Sequence, residues 1–243
     1  MRFMAWGLTE TGYFRSNNED AYFLSAIEGD LTDFPFFLVA DGLGGHEGGE
    51  VASRIAVERA AQDLSLKKPL TGETVKEAFQ AAHLAVLEAK KKMPELGDMG
   101  TTMTALAFDG SSAIVGNAGD SRTYILREGH LSQITRDHSY VQELIEAGLI
   151  SKKEARFHPY RNVVTSVLGL ESAFRTELFQ LQAKLGDLFL LATDGLTEEL
   201  SDEAIEKIMT SLSPEEACQA LISHALENGG KDNITVILVN LFT

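Results

Sequence analysis

Thr102-Met103-Thr104-Ala105-Leu106-Ala107-Phe108-Asp109-Gly110-Ser111-Ser112-Ala113-Ile114-Val115-Gly116-Asn117-Ala118 reads as two short apolar runs joined at an Asp-Gly turn. Runs of this length closed by turn chemistry are the pattern of a β-hairpin. Two more strands are predicted close behind, near 121–127 and 131–135, with Glu128-Gly129 as the turn between them. Four strands in such close succession leave no room for crossover helices. Working outward, apolar runs predict strands near 3–9, 20–27 and 35–40 before this block, and near 174–181, 187–193 and 234–241 after it. Helices are predicted near 50–65 and 74–93. Thr74-Val75-Lys76-Glu77 reads as a capping box for the second, and Val75, Phe79, Ala82 and Val86 as its buried stripe. Two more helices follow residue 193; the later one opens at Ser213-Pro214-Glu215-Glu216 and stops before Gly229-Gly230. Strands and helices are grouped rather than alternating, which favours α+β over a doubly wound α/β fold.

Four aspartates stand at the rims of these runs. Asp41 ends Phe36-Phe37-Leu38-Val39-Ala40, and Asp194 ends Leu188-Phe189-Leu190-Leu191-Ala192-Thr193. Asp120 follows Ile114–Gly119, and Asp232 precedes Ile234–Val239. Like charges gathered at one rim repel and are costly to desolvate unless something strongly positive lies between them. Hard divalent cations such as Mg2+ or Mn2+ prefer oxygen ligands and suit such a cluster. Taken singly, an Asp-Gly after an apolar run serves a turn equally well.

A chain of 243 residues can bury one sizeable core, so a single domain over 1–243 is expected. The formal net charge of -15 argues against nucleic acid or an anionic membrane as the main partner. No apolar stretch approaches membrane-spanning length, and Met1–Gly7 lacks the longer apolar segment of a secretory signal, so a cytoplasmic location is expected. Cys218 is the only cysteine, which excludes an intramolecular disulfide. It shares a helix face with Leu221, Ile222 and Ala225 and reads as a core residue.

Arg15-Ser16-Asn17-Asn18-Glu19-Asp20 and Val39-Ala40-Asp41-Gly42-Leu43-Gly44-Gly45-His46 resemble the opening motifs of bacterial metal-dependent type-2C serine/threonine protein phosphatases, the PPM family. Gly100-Thr101-Thr102, Gly119-Asp120-Ser121-Arg122, Asp137-His138-Ser139, Thr193-Asp194-Gly195 and Asp232-Asn233-Ile234-Thr235 continue the match in order. Each word alone is weak, but the ordered set is specific and spans almost the whole chain. The resemblance implies a central sandwich of two antiparallel β-sheets flanked by paired α-helices, a four-layer αββα arrangement with the metals at one end. It implies Asp41 as the ligand bridging two Mn2+ or Mg2+ ions, with the Gly42 carbonyl on one ion and Asp194 and Asp232 on the other. Glu19 and Asp20 are implied to act mostly through metal-bound waters. Asp120 with Asp194 matches a third, weaker metal site. Arg15 matches the phosphate-binding arginine, whose alternative is a structural surface role, and Asn233 is read as orienting Asp232 or as turn chemistry.

The implied reaction has a physical basis. Two divalent ions about 3.5–4 Å apart can ionise a bridging water near neutral pH and offset its repulsion from a phosphate monoester. That hydroxide is expected to attack phosphorus in line, with no phosphoenzyme, while a guanidinium fork meets the equatorial oxygens. Many eukaryotic relatives carry histidine directly after the Asp-Gly; here Leu43 stands there and cannot donate a proton. His46 is the candidate replacement, with a loop-stabilising role or a metal-bound water as the alternatives.

Residues 139–168 break the strand rhythm and match the family's variable flap, expected to select substrate. Arg156, His158 and Arg161 are its candidate contacts to phosphoprotein, against the reading of a solvated basic loop. Arg122 is expected in a structural ion pair, His138 ordering its turn and His83 in packing. The expected partners are phosphoserine and phosphothreonine proteins together with an opposing Ser/Thr kinase, and a monomer is the simplest state. The alternatives are a phosphatase dedicated to one regulator, of the anti-sigma-antagonist type, and a non-catalytic phosphoprotein-binding module. The second would normally have lost a metal aspartate.

Overall fold

Each apolar run read as a strand pairs into one of two antiparallel sheets. The computed structural model describes residues 1–44, 48–170 and 174–243. Its elements begin with β1 (Arg2–Glu10), β2 (Asp20–Leu24), β3 (Glu28–Asp30), β4 (Phe36–Leu43), α1 (Gly48–Leu66) and α2 (Gly72–Lys92). The hairpin region supplies β5 (Gly100–Thr101), β6 (Met103–Asp109), β7 (Ser112–Ala118), β8 (Arg122–Arg127) and β9 (His130–Gln133). Then come α3 (Tyr140–Glu146), α4 (Lys152–Ala155), β10 (Glu177–Gln182), β11 (Leu188–Ala192), α5 (Asp194–Glu199), α6 (Asp202–Ser211), α7 (Pro214–Glu227) and β12 (Ile234–Phe242). One sheet has the order β3-β1-β12-β11-β8-β9; the other runs β10-β7-β6-β4-β2, with β5 paired to β4.

Period-two alternation divides each strand between two cores. Phe36, Leu38 and Ala40 of β4 face α1 and α2, against Ala52, Ala56, Ala60, Val75, Phe79 and Val86. The alternate residues Phe37 and Val39 face the other sheet, packing with Phe3, Phe108, Phe189, Leu191 and Ile237. Phe3–Phe37 and Phe108–Phe189 meet edge to face, each with ring centroids 5.6 Å apart. On the far side Leu190, Val236 and Leu238 face Leu196, Ile205, Cys218 and Leu221 of the last three helices. The result is helix, sheet, sheet, helix. Each large side chain fully buried in these layers contributes about 1.5–3 kcal/mol relative to exposure.

Toward one end, the layer between the sheets turns from apolar to hydroxylic. Thr104 and Thr123 hydroxyls meet at 2.8 Å, as do those of Thr102 and Ser121. Thr9 and Thr235 meet at 2.7 Å. Continuing the alternation of β4 past Phe37 and Val39 brings Asp41 to this same polar end.

Some predicted elements shift. The run at 20–27 shortens to β2, and β3 follows just beyond it. The second helix starts a turn earlier than predicted, because Thr71 caps it: Thr74 N–H donates to Thr71 Oγ1, and Thr71 N–H to Thr74 Oγ1. Three helices, not two, follow β11; the extra one is α5, with Asp194 in its first turn, where a carboxylate opposes the positive helix end.

Candidate active site

Asp41 and Asp20 are register partners on neighbouring strands β4 and β2. The Asp41 backbone is fixed on both sides: its N–H donates to Thr102 Oγ1 at 3.1 Å, and its carbonyl accepts from Thr102 N–H at 2.9 Å and Thr101 Oγ1 at 2.7 Å. Gly42 N–H donates to the Glu19 carbonyl at 3.1 Å. A Cβ on Gly42 would lie 2.1 Å from the Gly49 carbonyl oxygen and 2.5 Å from that of Glu19, so three backbone segments converge there only because residue 42 has no side chain. Gly195 repeats the device: a Cβ would lie 2.0 Å from the Asn233 carbonyl oxygen, which lets the start of α5 press against the start of β12.

Asn233 meets Asp232 through its backbone N–H, while its side chain is engaged elsewhere. Its Nδ2 donates to the carbonyls of Thr11 and Asn17, at 2.8 and 3.0 Å, and its Oδ1 accepts Glu19 N–H at 2.8 Å. It therefore staples the loop that carries Arg15 and Glu19 to the start of β12. Asp232 Oδ1 accepts the Asn233 N–H at 2.8 Å, and Oδ2 meets Arg15 Nη2 at 2.6 Å.

These residues open on one cleft of about 140 Å³, lined by Arg15, Glu19, Asp41, Gly42, Leu43, Gly44, Asp120, Asn162, Val164, Asp194 and Asp232. Of the predicted site residues that are described, all but Asp20 line it. Asp20 lies beneath, where its Oδ2 accepts hydroxyl bonds from Thr235 at 2.6 Å and Thr193 at 2.9 Å. His46 lies outside the described residues. Asn162 and Val164, on the excursion after α4, escaped the sequence reading, which stopped at Arg161. Thr193 and Thr235 also escaped it, because a threonine in a strand carries no mark of which face it serves.

The electrostatics are those of crowded anions. Burial is the largest cause raising the proton affinity of Asp20, Asp41, Asp120, Asp194 and Glu19, and neighbouring aspartates add to it. Asp41, beside Asp194, Asp20 and Asp120, is held well above the usual carboxylate range, and Asp120 likewise beside Asp194 and Asp137. Asp20 is pushed up to about 7 and Asp194 to about 6. Glu19 is raised by burial, against the pull of Arg15. The hydrogen bond that Arg15 donates to Asp232 raises the arginine's pKa and keeps it charged.

The donor set fits divalent cations in its chemistry: several carboxylates and backbone carbonyls, with Asp194 Oδ1 and Asp20 Oδ1 buried without a hydrogen-bond partner. Among the described residues, no three His, Cys, Asp or Glu side chains by themselves form a group that could hold an ion. Carboxylates alone do not complete the set.

Other predicted roles divide. Arg122 makes the expected ion pair, donating to both oxygens of Asp137 from Nε and Nη2. His138 Nδ1 accepts Gly119 N–H at 3.3 Å, ordering the turn before Asp120. His83 is buried, stacks on Phe174 and accepts Gly169 N–H at 3.2 Å. Cys218 is buried. Arg156 does not face the cleft as a substrate contact; its guanidinium is turned to the backbone of α5. His158 packs between Tyr140 and Tyr160.

Residues 15–228 match the family model described as protein phosphatase 2C. The chain is 37% identical over 239 residues to the serine/threonine phosphatase stp of Listeria welshimeri, covering 95% of this chain and 93% of that protein. It is 36% identical over 236 residues to the serine/threonine protein phosphatase PstP of Mycobacterium tuberculosis, covering 96% of this chain and 44% of PstP, so it spans less than half of that relative. The catalytic domain of PstP, solved in complex with two manganese ions, superposes with a TM-score of 0.88 at 32% identity, covering 100% of this chain and 99% of that one. Among the described residues, no helix is long and apolar enough to cross a membrane.

Proposed function

Because this chain belongs to the protein phosphatase 2C family, we propose that it hydrolyses phosphoserine and phosphothreonine in proteins with Mn2+ or Mg2+. The observation that carries this reading is the meeting of Asp41, Asp194 and Asp232 with Arg15 around one cleft. Asp41, Asp194, Asp232 and the Gly42 carbonyl would hold two core ions, Asp120 with Asp194 would hold a third, and Glu19 and Asp20 would act through water. Cations bound there lower the pKa of water and neutralise charge on a phosphoryl group.

The chain's own residues do the rest. No Ser, Thr, Cys or His is among the described residues that line the cleft, and its carboxylates are needed as ligands. We take water as the attacking group, with no phosphoenzyme. Arg15 is half-exposed at the mouth, where its guanidinium can orient the phosphoryl oxygens for in-line displacement. Leu43 lines the cleft but offers no proton, which leaves the leaving-group proton to His46 or to water. The physiological role is reversal of a Ser/Thr kinase in the cytoplasm. Phosphate release from phosphothreonine and phosphotyrosine peptides, with Mn2+ and with excess EDTA, tests the reading. Mn2+-dependent release confined to phosphothreonine is expected; release that survives EDTA, or none from folded, Mn2+-loaded protein, overturns it.

A further inference from the structure

A helix leaves its last carbonyls without partners inside the helix. At the end of α5, two carbonyls are met from outside. Arg156 Nη2 donates to the carbonyl oxygens of Thr197 and Leu200, each at 3.3 Å. Close by, Arg161 Nε lies 3.9 Å from Glu198 Oε1. Two arginines of the excursion thus grip the C-terminal turn of a helix whose first residue is Asp194.

The two sides of this contact are unequally anchored. Gly195, Leu196 and Thr197 of α5 are buried, so the helix stays in place by its own packing. Within 140–165 only Ala155 is buried; the excursion has no core of its own. Its base is tied by Tyr140 N–H to the Val163 carbonyl at 2.8 Å and Thr165 N–H to the His138 carbonyl at 2.7 Å. Of the two excursion residues that line the cleft, Val164 lies within that base, bridged to Ser139, and Asn162 lies between the base and Arg161.

We propose that Arg156 is a positioning residue that latches the excursion onto the C-terminal end of α5 and so sets where Asn162 stands over the cleft. One short helix then serves the cleft at both ends, with a carboxylate at its start and a fixed wall at its finish. A wall matters most to a substrate that extends beyond its phosphate. The kinetic consequence rests on the phosphatase reading; the structural one does not.

The test is Arg156→Ala in the full chain, followed by hydrogen exchange and by steady-state kinetics on a phosphothreonine peptide and on p-nitrophenyl phosphate. Exchange across 150–164 is expected to rise about tenfold, the loss of a charged hydrogen bond. The peptide KM is expected to rise several-fold, with kcat on p-nitrophenyl phosphate within about twofold of wild type. Arg156→Lys, which keeps the charge but not the planar fork, is expected to recover only part of both effects. Unchanged exchange and KM would overturn the latch. So would an equal fall of kcat on both substrates with protection lost in 194–200, which would place the effect in α5 itself. If wild type hydrolyses neither compound, the phosphatase reading fails, and hydrogen exchange alone still decides the latch.

Discussion

Gly42→Ala tests how the cleft is built. The added Cβ would lie 2.1 Å from the Gly49 carbonyl oxygen, 2.4 Å from the Gly49 carbonyl carbon and 2.5 Å from the Glu19 carbonyl oxygen. An ordinary carbon–oxygen contact is roughly 3.3 Å, so backbone must move by about 1 Å on two sides. All three neighbours are main-chain atoms, and no side chain can swing aside. Overpacking of this kind costs about 1–3 kcal/mol. Loss of the Gly42 N–H bond to Glu19 adds about 1 kcal/mol. The expected total is about 2–4 kcal/mol, which for a chain of this length lowers Tm by roughly 5–15 °C. Gly110→Ala is the control. Nothing lies within 4 Å of its Cβ, and its φ of +55° carries only the left-handed penalty of about 1–2 kcal/mol. Urea unfolding of both variants, without added metal, separates crowding from backbone conformation. Gly42→Ala no more costly than Gly110→Ala would refute the convergence of the three segments at residue 42.

Arg15→Ala is expected to lower kcat/KM on a phosphothreonine peptide by about 10²–10³ with little change in Tm, as for removal of a donor to transition-state charge; a loss under threefold would count against its role. Thr235→Val removes the 2.6 Å hydroxyl bond to Asp20 Oδ2 and leaves Thr9 Oγ1 without that partner. A loss of about 1.5–3 kcal/mol in equilibrium unfolding is expected, and a loss under 0.5 kcal/mol would mean the bond is idle (roughly the scatter of surface substitutions). Burial pushes the Cys218 thiol up to about 12. Folding thus moves thiolate formation to higher pH, and at pH 8 only about one thiol in 10⁴ is ionised. Alkylation at pH 8 should be slow in the native protein and fast after unfolding; equal rates would place Cys218 at an accessible surface.

The layers of the fold were legible because apolar alternation, Asp-Gly turns and helix caps are local signals. The hairpin 102–118 and the final strand needed nothing beyond their own residues. The capping of the second helix was misplaced by one turn because two threonines, Thr71 and Thr74, stand near its start and the sequence does not say which hydroxyl accepts. The aspartates of the cleft were legible as strand-end carboxylates, and their ordered words carried the resemblance. Asp194 was seen at the end of β11, but the short helix it opens was missed. Asn233 shows the limit: its side chain holds Thr11, Asn17 and Glu19, over 200 residues away, and no local pattern announces such a staple. Charge and loop position make Arg156 a candidate substrate contact or part of a solvated basic loop; its actual direction depends on where α5 ends in space.

That Asp41, Asp194 and Asp232 jointly hold the cations on which hydrolysis depends is tested most directly by titrating Mn2+ into the metal-free protein, wild type and Asp194→Asn. Free Mn2+ is followed by electron paramagnetic resonance, and phosphate release is measured on the same samples. Wild type should bind two or more ions per chain, with release rising as they fill, while Asp194→Asn should bind fewer and lose most of its release. Equal binding by both proteins, or full release from Asp194→Asn, would contradict the assignment.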